Sequence, residues 1–109
     1  MKTIVKDKIS YKVGQNAKEN WSLISQTKKI NKNFLWIHLD SVSSGHVIIE
    51  DELPNEEMII FACELCKSQS KYDGKVMKFI FTIVDNLNFG EEPGSVYFKK
   101  ETLCKTIYI

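Results

Sequence analysis

Arginine is absent from this chain: all fifteen of its basic residues are Lys. A Lys ammonium meets a phosphate as a point charge and cannot make the bidentate fork of a guanidinium. Any nucleic-acid contact is therefore expected to be salt-sensitive and weakly sequence-specific. The same absence, with abundant Lys, Ile and Asn, also fits AT-rich coding. Histidine is scarce too, with only His38 and His46, and two imidazoles fall short of a typical zinc site. No apolar run approaches the ~20 residues that span a bilayer. Lys6, Asp7 and Lys8 stand where a secretory signal needs its apolar centre. Three cysteines, an odd count, fit free thiols in a reducing compartment. A soluble, cytoplasmic protein with no membrane partner is the expectation.

What is present suits one domain over residues 1–109, with 43% apolar and 27% charged residues. The net charge of +1 argues against a strong polyanion binder, but the charge is segregated. Residues 1–35 hold eight Lys against Asp7 and Glu19, giving +6; residues 36–66 hold seven acids and no Lys, giving −7; residues 67–109 carry +2.

The densest group of recognition-type side chains is Phe34–Ile49, FLWIHLDSVSSGHVII. Two β-forming runs flank a Ser/Gly-rich turn there, and a hairpin or near-hairpin would set both imidazoles at one end of a sheet. Before it come strands at Thr3–Lys6 and Ile9–Val13, then a short, weak helix capped by Asn16 or Asn20. That helix should reach about Lys28, with Trp21, Ile24 and Lys28 on one side. After it, Asn55–Lys71 reads as the principal helix, with Glu56 and Glu57 at its start and Lys67 and Lys71 at its end. Its buried stripe takes in Met58, Phe61, Ala62, Leu65, Cys66 and Gln69, and Tyr72-Asp73-Gly74 closes it. Val76–Val84 reads as a long strand, Asp85–Ser95 as a loop, and Val96–Phe98 and Thr106–Ile109 as the last strands. The fold class is α+β: a mainly antiparallel sheet with one principal helix and a short N-terminal helix packed on it.

Chemistry is thin. Ser43 or Ser44 beside the histidines suggests a nucleophile, and Asp40 and Glu50 could extend a metal site. Neither the nucleophile-elbow context nor a metal spacing is present, and histidines satisfied at a turn are the plainer reading. Cys63-x-x-Cys66 sits inside a helix rather than at its N-terminus, so buried small residues fit better than a redox pair. Trp36, Tyr97 and Tyr108 on strands near Lys turns match base stacking in single-stranded RNA binding; they equally match a core. No catalytic residue, metal or cofactor is expected.

Six pieces in order resemble the NFACT-R module of NEMF-type ribosome quality-control factors and bacterial fibronectin-binding-protein homologues. They are Gly14-Gln15-Asn16, Leu35–Leu39 with Trp36 and His38, Gly45–Ile49 with His46, Phe61-Ala62 to Ser70-Lys71, Pro93–Phe98, and Lys105–Ile109. Phe34 stands where that family has Asp, Ser44-Gly45 reverses its Gly-Ser, and Glu50 replaces a frequent Arg. The resemblance implies a stand-alone RNA-binding domain for tRNA or rRNA in ribosome-linked quality control, with the ribosome a further partner and DNA a competitor. Lys28, Lys29 and Lys32 would hold phosphates, Lys99, Lys100 and Lys105 would form a second patch, and Trp36, His38, Gly45 and His46 would shape the site. The rival expectation is a protein-interaction module docking on a ribosomal or regulatory partner.

Overall fold

The computed structural model describes residues 1–42, 44–70 and 74–109; the expectations at Ser43, Lys71, Tyr72 and Asp73 lie outside the described residues. Strands β1 (Lys2–Lys6) and β2 (Ile9–Val13) form a hairpin with Lys6 opposite Ile9. Its two loop residues, Asp7 and Lys8, both take positive φ (51 and 69), which matches the right-handed twist of the flanking strands. Then come α1 (Ala17–Ile30), β3 (Leu35–Leu39), β4 (Val47–Ile49), α2 (Glu56–Ser68), β5 (Lys78–Ile83), β6 (Leu87–Phe89), β7 (Val96–Phe98) and β8 (Lys105–Tyr108).

Six strands form one sheet in the order β1-β2-β4-β3-β5-β8, and β6 and β7 form a separate ribbon. Every pairing is antiparallel. The α+β class therefore holds. Because side chains alternate along a strand, central β3 is split between two cores. Leu35, Ile37 and Leu39 join Val47, Ile49 and Phe79 beneath α2, whose Ala62, Cys63 and Cys66 cover them. Trp36 and Ile48 point the other way and meet Leu23 and Ile24 of α1, with Val84 and Leu87 beside them. The two helices thus lie on opposite faces of the sheet.

The N-terminal helix is not the short one: α1 has 14 residues and α2 has 13. Its buried side is Asn20, Leu23, Ile24 and Thr27: Ile24 is buried as expected, whereas Trp21 and Lys28 are only partly so. Thr27 stays helical because its hydroxyl donates to the Leu23 carbonyl at 2.7 Å. Asn16 is the N-cap, accepting from the Glu19 N–H at 2.9 Å. Asn55 caps α2 in the same way through Met58, so Asn55 itself lies outside the helix.

The segment read as a loop over Asp85–Ser95 contains a 3-10 turn at Val84–Asn86 and the strand β6. Buried Asn86 organises it. Its side-chain oxygen accepts from the Lys100 N–H at 2.8 Å, and its amide donates to the Lys100 carbonyl at 2.9 Å and to Thr82 Oγ1 at 3.1 Å. The ribbon and the Lys99-Lys100 turn are thereby tied to β5. Asn86→Ala would leave the Lys100 N–H without its partner, though the Lys100 carbonyl keeps the Leu103 N–H, and is expected to lower stability by about 1–3 kcal/mol. Urea titration should show a lower midpoint at unchanged slope.

Candidate functional site

Trp36 and His38, two apart on β3, face the α1 side, as do His46 and Ile48 at the start of β4. The hairpin pairs Ile37 with Val47, which brings the two imidazoles together just beyond that pair. Their rings lie 4.7 Å apart at 79°, and His38 stacks on Trp36 at 5.7 Å and 11°. Beneath them the Trp36 indole N–H donates to His46 Nδ1 at 3.0 Å.

Trp36 is only 1% exposed, so it cannot stack a base itself; it lines nothing and acts through His46. His46 is held from three sides. Its backbone N–H donates to Asn20 Oδ1 at 3.1 Å, and its carbonyl accepts from the Gly14 N–H at 2.9 Å. Approach there is close. A Cβ on Gly14 would lie 2.2 Å from Asn20 Oδ1, and one on Gly45 would lie 2.5 Å from the Gly14 carbonyl. The Cys66 thiol donates to the Gly45 carbonyl at 3.1 Å and touches Ser44 Oγ at 3.2 Å.

Above His38 and His46 opens a cleft of about 900 Å³. Its walls are the start of α1, the residues Ser41, Val42, Ser44 and Gly45, Gln69 and Ser70 just after α2, and the Glu92–Ser95 loop. That loop is fastened to α1 by Trp21, whose indole N–H donates to the Ser95 carbonyl at 2.8 Å. Five of the six segments that carry the family resemblance contribute lining residues; only Lys105–Ile109 does not.

Of the Lys residues singled out in the sequence, none lines the cleft. Lys28 lies at the far end of α1 from the cleft, about 16 Å along the axis from Ala17 at ~1.5 Å per residue. Its ammonium donates to the Leu87 carbonyl. Burial lowers its pKa, with Lys99 and Lys32 adding repulsion and Asp85 opposing it. Lys99 reaches Asp85 at 3.7 Å. Lys28, Lys32 and Lys99 thus share a region, and Lys29 and Lys100 are exposed on the adjoining segments. Lys105 is elsewhere: it pairs with Phe81 across β5 and β8, on the side facing α2.

Asp40 pairs with Lys78 at 3.4 Å and Glu50 with Lys12 at 3.6 Å. Phe34 and Glu50 lie at the opposite end of the β3–β4 hairpin from the histidines, so neither departure from the family pattern touches the cleft. Among the described residues no three His, Cys, Asp or Glu side chains gather as metal ligands. Burial pushes the Cys66 thiol up to about 11 and Cys63 to about 12, as befits core residues. Sequence reasoning missed Asn20 as the clamp on His46 and Trp21 as the clamp on the loop. Both partners lie far off in the chain, and no local pattern announces them.

No family model matches the chain. Protein JLP2 of Saccharomyces cerevisiae is 30% identical over 105 residues, covering 85% of this chain and 50% of that protein. The C-terminal structure of the fibronectin/fibrinogen-binding protein of Streptococcus suis matches with a TM-score of 0.83 and 26% identity, over 98% of this chain and 43% of that one. The chain therefore spans about half the length of the curated relative it matches. Its fold is that of the streptococcal C-terminal region, consistent with an NFACT-R-like fold. Among the described residues no helix is long and apolar enough to cross a membrane.

Burial and the neighbouring His38 lower the His46 pKa from 6.5 to about 3; burial also lowers His38, against backbone hydrogen bonding at Leu39 and Ser44 and the charge of Asp40. Below pH 6.5 the unfolded chain takes up a proton that folded His46 refuses, so stability falls as pH drops toward about 3. The loss is expected to approach ~1.4 kcal/mol per pH unit from His46 alone. Urea titrations between neutral and mildly acidic pH should show it. His46→Asn, which keeps an acceptor near the indole, should flatten that slope; a wild-type curve already flat there would refute a neutral, buried imidazole.

Proposed function

We propose that this chain is a nucleic-acid-binding module of the NFACT-R kind. In this reading it takes a structured RNA, tRNA or rRNA, in ribosome-associated quality control or translation, which would be a cytoplasmic role. The observation that carries the reading is the convergence of five resemblance-bearing segments on one open cleft. Segments kept only for folding would meet in the core, whereas these bring loop residues to the rim of a solvent-filled opening. Charge adds support: Lys28, Lys32 and Lys99 cluster on the α1 side of the sheet, the side on which the cleft opens. With no guanidinium available, such binding would be dominated by counterion release.

A protein-docking role is the second reading. It is favoured by the streptococcal protein, which is described as binding fibronectin and fibrinogen, and by the all-acid segment 36–66. Capture of fibronectin or fibrinogen without RNA binding at low salt would favour it.

Lys28 supports β6 through the Leu87 carbonyl, so the cleaner test reverses Lys29, Lys32 and Lys99 to Glu. Fluorescence anisotropy with a tRNA is expected to show at least tenfold weaker binding. The log–log salt slope should shrink by about 2, as for three lost phosphate contacts at ~0.7 each. Unchanged affinity and slope would rule this Lys cluster out of the interface.

A further inference from the structure

An indole nitrogen can only donate, so the Trp36–His46 bond requires Nδ1 of His46 to be the bare, accepting nitrogen. The ring proton then sits on Nε2. This tautomer is held by a partner that itself has no alternative protonation state. Nε2–H has no acceptor among the described residues, although His46 is 2% exposed and lines the cleft. Among those residues no fully buried side-chain nitrogen or oxygen lacks a partner, so this N–H is reached from the cleft. The floor therefore presents a donor with a fixed direction facing an open cleft, where an acceptor on a ligand can take the place of water.

The remaining lining narrows what that acceptor belongs to. Asn16, Ser41, Ser44 and Gln69 can each donate and accept. Glu92, exposed at the rim, is the one charged side chain among the described lining residues. Among the described lining residues no side chain offers a phosphate or carboxylate a full counter-charge, and a cation would meet the Nε2–H head-on. His38 adds an aromatic surface 4.7 Å from His46. A flat, uncharged group with acceptor atoms fits.

We infer that the cleft receives the unstacked base of a nucleotide, a base carbonyl or ring nitrogen accepting from His46 Nε2–H. The sugar–phosphate chain then runs outside, along α1 toward Lys32 and Lys99. This rests on the nucleic-acid reading above and adds to it that the cleft contacts the base and not the phosphate.

The test titrates ¹⁵N-labelled protein with the four uncharged ribonucleosides and, in parallel, with ribose 5-phosphate. At least one nucleoside is expected to shift the His46 Nε2 and Gly45 amide signals saturably, while ribose 5-phosphate leaves them unmoved. A short single-stranded RNA is expected to bind at least tenfold more tightly than the same chain made abasic throughout. His38→Phe keeps a ring against Trp36 and should weaken nucleoside binding without altering abasic binding. If that variant does not fold, Gln69→Trp at the half-exposed rim blocks the cleft and serves the same comparison. RNA bound equally with and without bases, cleft signals unmoved, overturns the base pocket and leaves the nucleic-acid reading standing. No binding of either RNA, with the cleft signals moved instead by N-methylacetamide or a peptide, overturns both.

Discussion

Two polar groups, the Trp36 indole and the His46 imidazole, are buried side by side on the α1 face of the sheet, and they satisfy each other at 3.0 Å. Removing either partner leaves a buried donor or acceptor unpaired, a cost of about 1–3 kcal/mol. Much of the neighbouring structure serves to keep that bond. The β3–β4 register sets both residues on one face, and a slip of one residue would turn one of them under α2. Asn20 docks α1 by accepting from the His46 N–H, and Gly14, just after β2, donates to the carbonyl of the same residue. His38, stacked on the indole, completes the layer from which the cleft rises.

Much of this was legible from local pattern. The run of β-formers in β3, the alternation in β5 and the three-to-four spacing in α2 are properties of contiguous residues; they located the two strands within two residues, while α2 stops at Ser68, three residues before the expected Lys71. The pairing of the histidines followed from the hairpin. What was not legible depended on partners far along the chain. Ser22, Ser25 and Thr27 make α1 look weak by propensity, yet burial of Leu23 and Ile24 against Trp36 and Ile48 stabilises it over its full length. Leu87-Asn88-Phe89 is too short for its alternation to stand out within a loop. It becomes a strand only because Val96–Phe98 lies opposite and Asn86 fixes the turn before it. Asn20, Trp21 and Asn86 are all polar or amphipathic side chains whose partners are 14 to 74 residues away.

The geometry also sorts the features that the sequence had placed together. Phe34 and Glu50 lie at the other end of the hairpin, where Glu50 meets Lys12. Departure from the family pattern there is compatible with an unaltered cleft. The basic residues divide as well. Lys28, Lys32 and Lys99 gather near Asp85, Lys29 and Lys100 stand exposed on the adjoining segments, and Lys105 looks out from the other face beside an apolar groove with Leu53 and Ile59. A uniform positive surface is therefore not what the six chosen Lys residues make.

Behind the imidazoles that floor the cleft, main chain packs closely. Gly14 and Gly45 meet backbone to backbone, and the group facing outward is an imidazole whose proton is fixed from behind. Main-chain shape does not vary with residue type, and the space for a side chain at either glycine is already taken. Divergence in what such a cleft accepts is least constrained at the rim supplied by Gln15, Ser41, Gln69 and Glu92, whose side chains come from separate segments. The interior would then pass unchanged between relatives of quite different preference. Close agreement in the core says little about shared ligands; agreement along that rim says a good deal.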